Sequence, residues 1–453
     1  MTRSVRIFAL LLALLLLCAC AAEPMPVPDV PEPLPQEEQP AAPTLPTRQA
    51  STGTLRECSE DDVLTILEAL TSTDFAGRVV GSEGNEKAAA YLAGQLSDLG
   101  YEPYGADYLL PYTDDQVQPE RAEASLTLIF PDGTRTALTP GEDFIWTPVY
   151  DDLDVTLPLS SSSDEANAGR AIFCDPTDES RIRVEEGKSA IAFNLYPLHS
   201  HSTSNNSVGS GKRGLCFVMI DESLRDTLSQ PGLQAELRLS ACGVQDGTAY
   251  NVAAVRRGSG GGREAVVVGA HFDGSGFYGD ALYPSAYDNA SGTATLLTAA
   301  ALLADVQLDA DLIFVGFNGE ESVLDGSAAL AEPLCAAYES LALINIDCIG
   351  LKSESDYMLD GNTAAFSGLG ERFGDEFVLC LTDNMNSDHK SFLGRENVYA
   401  TNLSDAGATN YSYSLMHTRL DTVDGLDPAR ILRAAQTLAQ YLFAGEYPSR
   451  LSG

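Results

Sequence analysis

Basic residues are scarce: 27 lysines and arginines stand against 65 aspartates and glutamates in 453 residues, a formal net charge of −38. No basic patch offsets this balance, which excludes nucleic acid and anionic membrane surfaces as partners. The same field favours cationic groups over the roughly 8–10 Å that salt leaves unscreened. Cysteine is sparse and irregular. Beyond Cys18 and Cys20 there remain Cys58, Cys174, Cys216, Cys242, Cys335, Cys348 and Cys380, an odd set without zinc-finger spacing, so a full disulfide framework is excluded. Histidine is rarer still, with five residues, so each can be weighed singly. His199 and His201 sit among serines and asparagines, as in a solvated loop, which leaves His271, His389 and His417 for chemistry.

The apolar run Ile7 to Leu17, preceded by Arg3 and Arg6, is too short for a membrane span and reads as a signal-peptide core. It ends in Leu17-Cys18-Ala19-Cys20, which looks like the recognition box of bacterial lipoproteins with Cys20 as the lipidated residue. The expectation is a signal peptide over 1–19 and an exported cell-envelope lipoprotein, anchored to a bacterial membrane and facing outside the cytoplasm. From Ala21 to Ala50 nine residues are proline and five are acidic. Residues 20–54 therefore read as a lipidated cysteine and an extended tether.

The remaining length exceeds what one core usually holds. Strand patterns such as Ala124–Phe130, Ala171–Cys174 and Leu215–Ile220 mark residues 111–245 as a β-rich insert between two parts of another domain, 55–110 and 246–447.

In that second part, apolar β-branched runs at 265–270, 312–317 and 343–346 read as buried parallel strands. Each ends at a polar residue. The first reaches His271-Phe272-Asp273, the second Asn318-Gly319-Glu320-Glu321, the third Asp347. Between the first two, Asp288 precedes an alanine- and leucine-rich helix of roughly four turns ending near Val306. Strands alternating with helices imply an α/β fold, a doubly wound, mixed but mostly parallel sheet whose ligands gather at the strands' carboxyl ends.

The residue types suit two zinc ions about 3.5–4 Å apart, which need a bridging carboxylate, an imidazole and a further carboxylate each, and a shared water. Asp288 is the expected bridge, with His271 and Asp347 on one metal and Glu321 and His417 on the other. Glu320 is free to move a proton, and Asp273 is placed to hold the second nitrogen of His271. Other divalent metals fit the same donors. Asp288 is equally suited to capping the following helix, and Cys348, one residue past Asp347, is expected on the opposite face of its strand as a core residue.

The set His271-Phe272-Asp273, Ser285–Gly292, Gly319-Glu320-Glu321, Asn345–Gly350 and His417–Thr422, with Phe75–Asn85 upstream, resembles the co-catalytic zinc exopeptidases. These are the secreted bacterial and vacuolar aminopeptidases, with glutamate carboxypeptidase and the non-catalytic transferrin receptor as relatives. The resemblance implies release of N-terminal residues from peptides with a free amine, and the insert is similar to a protease-associated domain. A carboxypeptidase or glutaminyl cyclase on the same scaffold is the rival enzyme, and a binding protein without catalysis the rival class. Ser387-Asp388-His389 resembles a structural motif of the family, which keeps His389 off the metals. The chain departs from some members at the residue before the last histidine, where Met416 replaces tyrosine. Tyr411 and Tyr413 are then the alternatives for an oxyanion donor, and neither is preferred.

Overall fold

Valine, isoleucine, leucine and phenylalanine dominate the strands at 265–270, 312–317 and 341–346 because both faces of the sheet are covered there. The computed structural model describes residues 49–116, 121–146, 152–160, 170–175, 190–196, 215–241, 245–379, 386–407 and 416–451. The expected signal peptide, Cys20, His199, His201, Tyr411 and Tyr413 lie outside them.

Nine strands form the main sheet: β1 (Glu102–Pro103), β2 (Leu109–Gln116), β3 (Gln245–Arg256), β4 (Glu264–His271), β5 (Asp311–Phe317), β6 (Ser340–Ile346), β7 (Tyr357–Gly361), β8 (Phe377–Leu379) and β9 (Val398–Asp405). The order is β1-β3-β5-β4-β6-β9-β7-β8, with β2 also on β3. The four central strands, β5-β4-β6-β9, run parallel, and β3 and β7 join them antiparallel. This is a mixed α/β sheet, as expected. Alternation divides its residues between two cores. Val266, Val268, Phe314 and Ile344 pack with helices α1 (Glu60–Leu70), α2 (Glu83–Asp98), α3 (Ser291–Leu302) and α5 (Pro428–Phe443). Val267, Ile313, Val315 and Leu343 pack with α4 (Asp325–Ala336) on the other face.

Helix starts follow local chemistry. Ser59 and Asp62 form a capping box on α1, Ser82 accepts from Asn85 N–H on α2, and Asp427 accepts from Ala429 N–H with Pro428 in the first turn of α5. Helix α3 is buried on nearly every side, so it is apolar and small all round instead of amphipathic. It ends at Leu302, one turn short of expectation, because Val306–Gln307 pairs antiparallel with Thr52–Gly53.

Between β2 and β3 a separate eight-stranded sheet is built from strands within 123–240. Leu126 and Leu128 face Leu237 and Ala235 in one core with Phe144, Trp146, Val218 and Ile220. Strand β2 runs on to Gln116, so residue 111, expected as the insert's start, lies inside the main sheet. The two parts touch near the site. Trp146 meets Tyr278 edge to face with centroids 5.0 Å apart, Tyr283 Oη donates to Gly141 O at 3.5 Å, and Arg419 Nη1 lies 3.7 Å from Glu142 Oε1. No helix among the described residues is long and apolar enough to cross a membrane.

Candidate metal centre

Strand register brings the expected residues to one edge. His271 closes β4 opposite Phe317 on β5, Asp347 follows the end of β6, and β5 passes through a turn at Gly319 to Glu320 and Glu321. Gly319 has φ +78°, and a Cβ there would fall 2.7 Å from the Tyr112 hydroxyl, so the turn delivering both glutamates requires glycine.

The five expected ligands converge as two groups of three that share Asp288. His271 Nε2 lies 3.2 Å from Asp288 Oδ1 and 3.4 Å from Asp347 Oδ1. His417 Nε2 lies 3.0 Å from Asp288 Oδ2 and 3.1 Å from Glu321 Oε2. The two oxygens of one carboxylate therefore face different imidazole and carboxylate sets. His271 has no exposed side-chain surface and that of His417 is 20% exposed, so the centre opens on the His417 side.

These atoms are poorly satisfied by protein alone. Both ring nitrogens of His271, Glu321 Oε1 and Asp347 Oδ1 are buried without a hydrogen-bond partner, a costly arrangement unless a cation is shared between them. Imidazole nitrogen and carboxylate oxygen in threefold groups suit zinc. Burial disfavours the imidazolium of His271, but Asp347 and the other carboxylates raise its pKa well above the ordinary range, and Glu321 and Asp288 do the same for His417. Burial would raise Asp288, yet the imidazoles of His271 and His417 beside its two oxygens hold it below the usual carboxylate range. Protons stand in for metal charge here. Glu320 is in neither group. Burial raises its carboxyl, His271 opposes this, and Asp347, Glu321 and Asp388 push it well above the ordinary value.

Supporting contacts explain the geometry. Asp273 Oδ1 lies 3.4 Å from His271 Nδ1, and its carboxylate also accepts the main-chain N–H of Glu320 at 3.3 Å and Glu321 at 3.1 Å. One side chain thus joins the β4 and β5 turns. Asp421 accepts the N–H groups of Tyr287 at 2.6 Å and Asp288 at 3.1 Å, and burial, partly offset by these bonds, raises its pKa to about 7. Asn289, not Asp288, receives Gly292 N–H at the start of α3, which leaves Asp288 to the centre. Arg78 donates to four carbonyls around the same turns. Arg78, Asn289 and Asp421 all stand in the motifs quoted above, but nothing in the sequence separates a buried tie from a surface charge.

His389 Nε2 lies 3.8 Å from Asp360 Oδ2, outside both ligand groups. Cys348 is buried in the core, as expected, but does not alternate away from Asp347. Strand β6 ends at Ile346 and Cys348 has φ +60°, so its thiol is buried near Asp288 and Asp347, where burial and those carboxylates raise its pKa.

The sheet thus presents two linked candidate metal-binding triads at its carboxyl edge. Residues 251–442, which contain all five ligands, match the model of peptidase family M28. Aminopeptidase YwaD of Bacillus subtilis is 23% identical over 342 residues, covering 70% of this chain and 69% of that protein. A "Probable leucine aminopeptidase" of Arthroderma otae is 28% identical over 191 residues, 39% of this chain, and the chain spans about half (53%) of its length. The fold is similar to that of BSAP, a zinc aminopeptidase from Bacillus subtilis, with TM-score 0.63 and 18% identity over 85% of this chain and 96% of that one. The aminopeptidase of Aneurinibacillus sp. strain AM-1 gives TM-score 0.58 and 18% identity over 87% and 95%.

Proposed function

We propose that this protein is a zinc-dependent aminopeptidase that removes N-terminal residues from peptides. The observation that carries the reading is the division of the Asp288 oxygens between a His271/Asp347 set and a Glu321/His417 set. Two divalent ions, which His271, Asp288, Asp347, Glu321 and His417 would hold, would supply Lewis-acid polarisation of a water and of the scissile carbonyl. The chain's own groups supply the rest. Glu320, outside both sets, takes a proton from the attacking water at its carboxylate and returns it to the leaving amine. Its elevated proton affinity in the zinc-free protein would fall as cations enter. Asp273 steadies the imidazole of His271 and the turn bearing Glu320 and Glu321. Asp421 fixes the main chain at Asp288.

The end of the peptide recognised follows from charge. Carboxylates dominate the cleft and favour a protonated or metal-bound amine, whereas a terminal carboxylate needs a free arginine or lysine. Arg78 is engaged by main-chain carbonyls and Arg419 faces Glu142. The test is a panel of free and N-acetylated peptides with zinc-loaded protein. Free peptides are expected to lose their first residue and acetylated ones to resist. Release of C-terminal residues from the acetylated set would replace this reading with a carboxypeptidase.

The proposal extends to an exported lipoprotein with Cys20 as its acylated residue, supported by the sequence of its first twenty residues. Palmitate labelling that survives Cys20→Ala would sink that part. The β-rich segment between β2 and β3 is proposed to act as an inserted domain narrowing access to the cleft, supported by its contacts through Gly141, Glu142 and Trp146. An unchanged KM for long peptides in a Glu142→Ala and Trp146→Ala double variant would count against it.

A further inference from the structure

Arg78 departs from ordinary arginine behaviour. Its side chain has no exposed surface, and its backbone takes φ +59° next to Gly77 at φ +70°, a left-handed bend that turns the side chain inward. Asn85 Nδ2 donates to Arg78 O at 2.8 Å and holds that bend, while the Asn85 amide exchanges two hydrogen bonds with Asn318, at 2.9 and 3.0 Å, just ahead of Gly319.

The guanidinium gathers three segments. Nε donates to Phe272 O at 2.6 Å, one residue past His271. Nη1 donates to Pro284 O at 3.0 Å and Nη2 to Ser285 O at 2.9 Å, in the turn that leads to Asp288. Nη1 also reaches Leu70 O at 2.6 Å, the last carbonyl of α1, an acceptor that a helix end leaves free. Burial lowers the guanidinium and Asp273, Asp421, Asp288 and Glu321 oppose it, which leaves it at about 10 and charged at neutral pH. A planar group with donors in fixed directions holds its acceptors at fixed separations, which a lysine ammonium does not do.

We infer that Arg78 is a positioning residue of the metal centre: its guanidinium clamps the turn after His271 to the turn before Asp288, and so sets the spacing at which the Asp288 oxygens serve separate ligand sets. Thr293 Oγ1, donating to His271 O at 2.8 Å, anchors the same turn from α3, so the clamp works against a fixed wall. This inference rests on the two-metal reading above and adds a residue that contacts neither the ions nor the substrate.

The test compares wild type with Arg78→Lys, which keeps the charge and loses the fork. Zinc affinity is read by competition with a chromophoric chelator, and Tm is measured with zinc and with EDTA. Loss of a group that orients metal ligands is expected to weaken binding of at least one ion by about 10- to 100-fold. By linkage, Tm then falls further in zinc than in EDTA, whereas a purely structural role lowers both equally. Two equivalents bound at wild-type affinity, or equal Tm losses, would overturn the inference. If Arg78→Lys does not fold, Arg78→Gln, with amide donors and no charge, is read the same way. Wild-type protein that takes up no zinc would sink the two-metal reading itself and is thereby distinguished.

Discussion

Asp288→Asn isolates the bridge with little disturbance elsewhere. The side chain keeps its shape, and the bonds that fix its position, from the main-chain N–H of Tyr287 and Asp288 to Asp421, do not involve the Asp288 carboxylate. What changes is one atom. An amide presents one oxygen, so either the His271 side or the His417 side, now 3.2 and 3.0 Å from separate oxygens, loses its share. A four-ligand protein zinc site binds with about 10–16 kcal/mol, or roughly 3 kcal/mol per ligand, so one ion should be held about 10²-fold more weakly. Loss of the bridging charge weakens the other ion too, but less. Zinc content after dialysis against a competing chelator is expected to fall from two equivalents to one, with the weaker site visible as a second phase of the titration. Two equivalents held at wild-type affinity would refute the bridging role, whatever happened to turnover.

Glu320→Gln should leave both ions bound and lower kcat by about 10²-fold or more, measured on an aminoacyl p-nitroanilide together with zinc analysis; near-normal turnover with full zinc would remove Glu320 from the proton path. Asp421→Ala frees two buried main-chain N–H groups at the bridge and should cost about 2–4 kcal/mol in chemical unfolding, so a loss under 1 kcal/mol would contradict its anchoring role. In EDTA the protein should lose stability as pH rises from 6 to 8. His271 and His417 have raised folded pKa values, so their contribution is complete below about 6.5 and disappears above it, and Glu320, Glu321 and Asp421, also raised, add the same slope from lower pH. Asp288, held low, opposes this only below about pH 4. Zinc replaces those protons, so the loaded protein should show a flatter profile, and identical profiles with and without zinc would contradict the account.

Three of the four parallel strands were legible because burial on both faces removes polar alternation, and their polar ends then marked His271, Glu321 and Asp347, whereas β9, with Thr401, Asn402 and Ser404 buried in it, carries no such apolar run. His417 was read from order and neighbours instead, since no apolar β-branched run precedes it in the sequence. Less legible were groups whose meaning depends on their partners. Arginine is ordinarily a surface residue, and only the left-handed bend at Arg78 turns it inward. Asp288 and Asn289 are equally plausible caps in sequence, and the main-chain path after Tyr287 gives that task to Asn289. Cys348 misled because alternation was extended two residues beyond the strand's end. The helix overrun to Val306 had a related origin, because the segment that recruits Val306 into a pair lies at Thr52–Gly53, far away in sequence.

Gln116 and Gln245 are cross-strand partners at the point where β2 and β3 meet the smaller sheet. The main chain therefore leaves the main sheet and returns to it at neighbouring positions, with Cα atoms about 5 Å apart by antiparallel geometry. Everything between hangs from a single pair of adjacent stems. A lineage could lengthen, trim or exchange that segment without shifting the register of β4, β5 and β6, and the catalytic machinery could persist while the covering of its cleft changed from one descendant to the next.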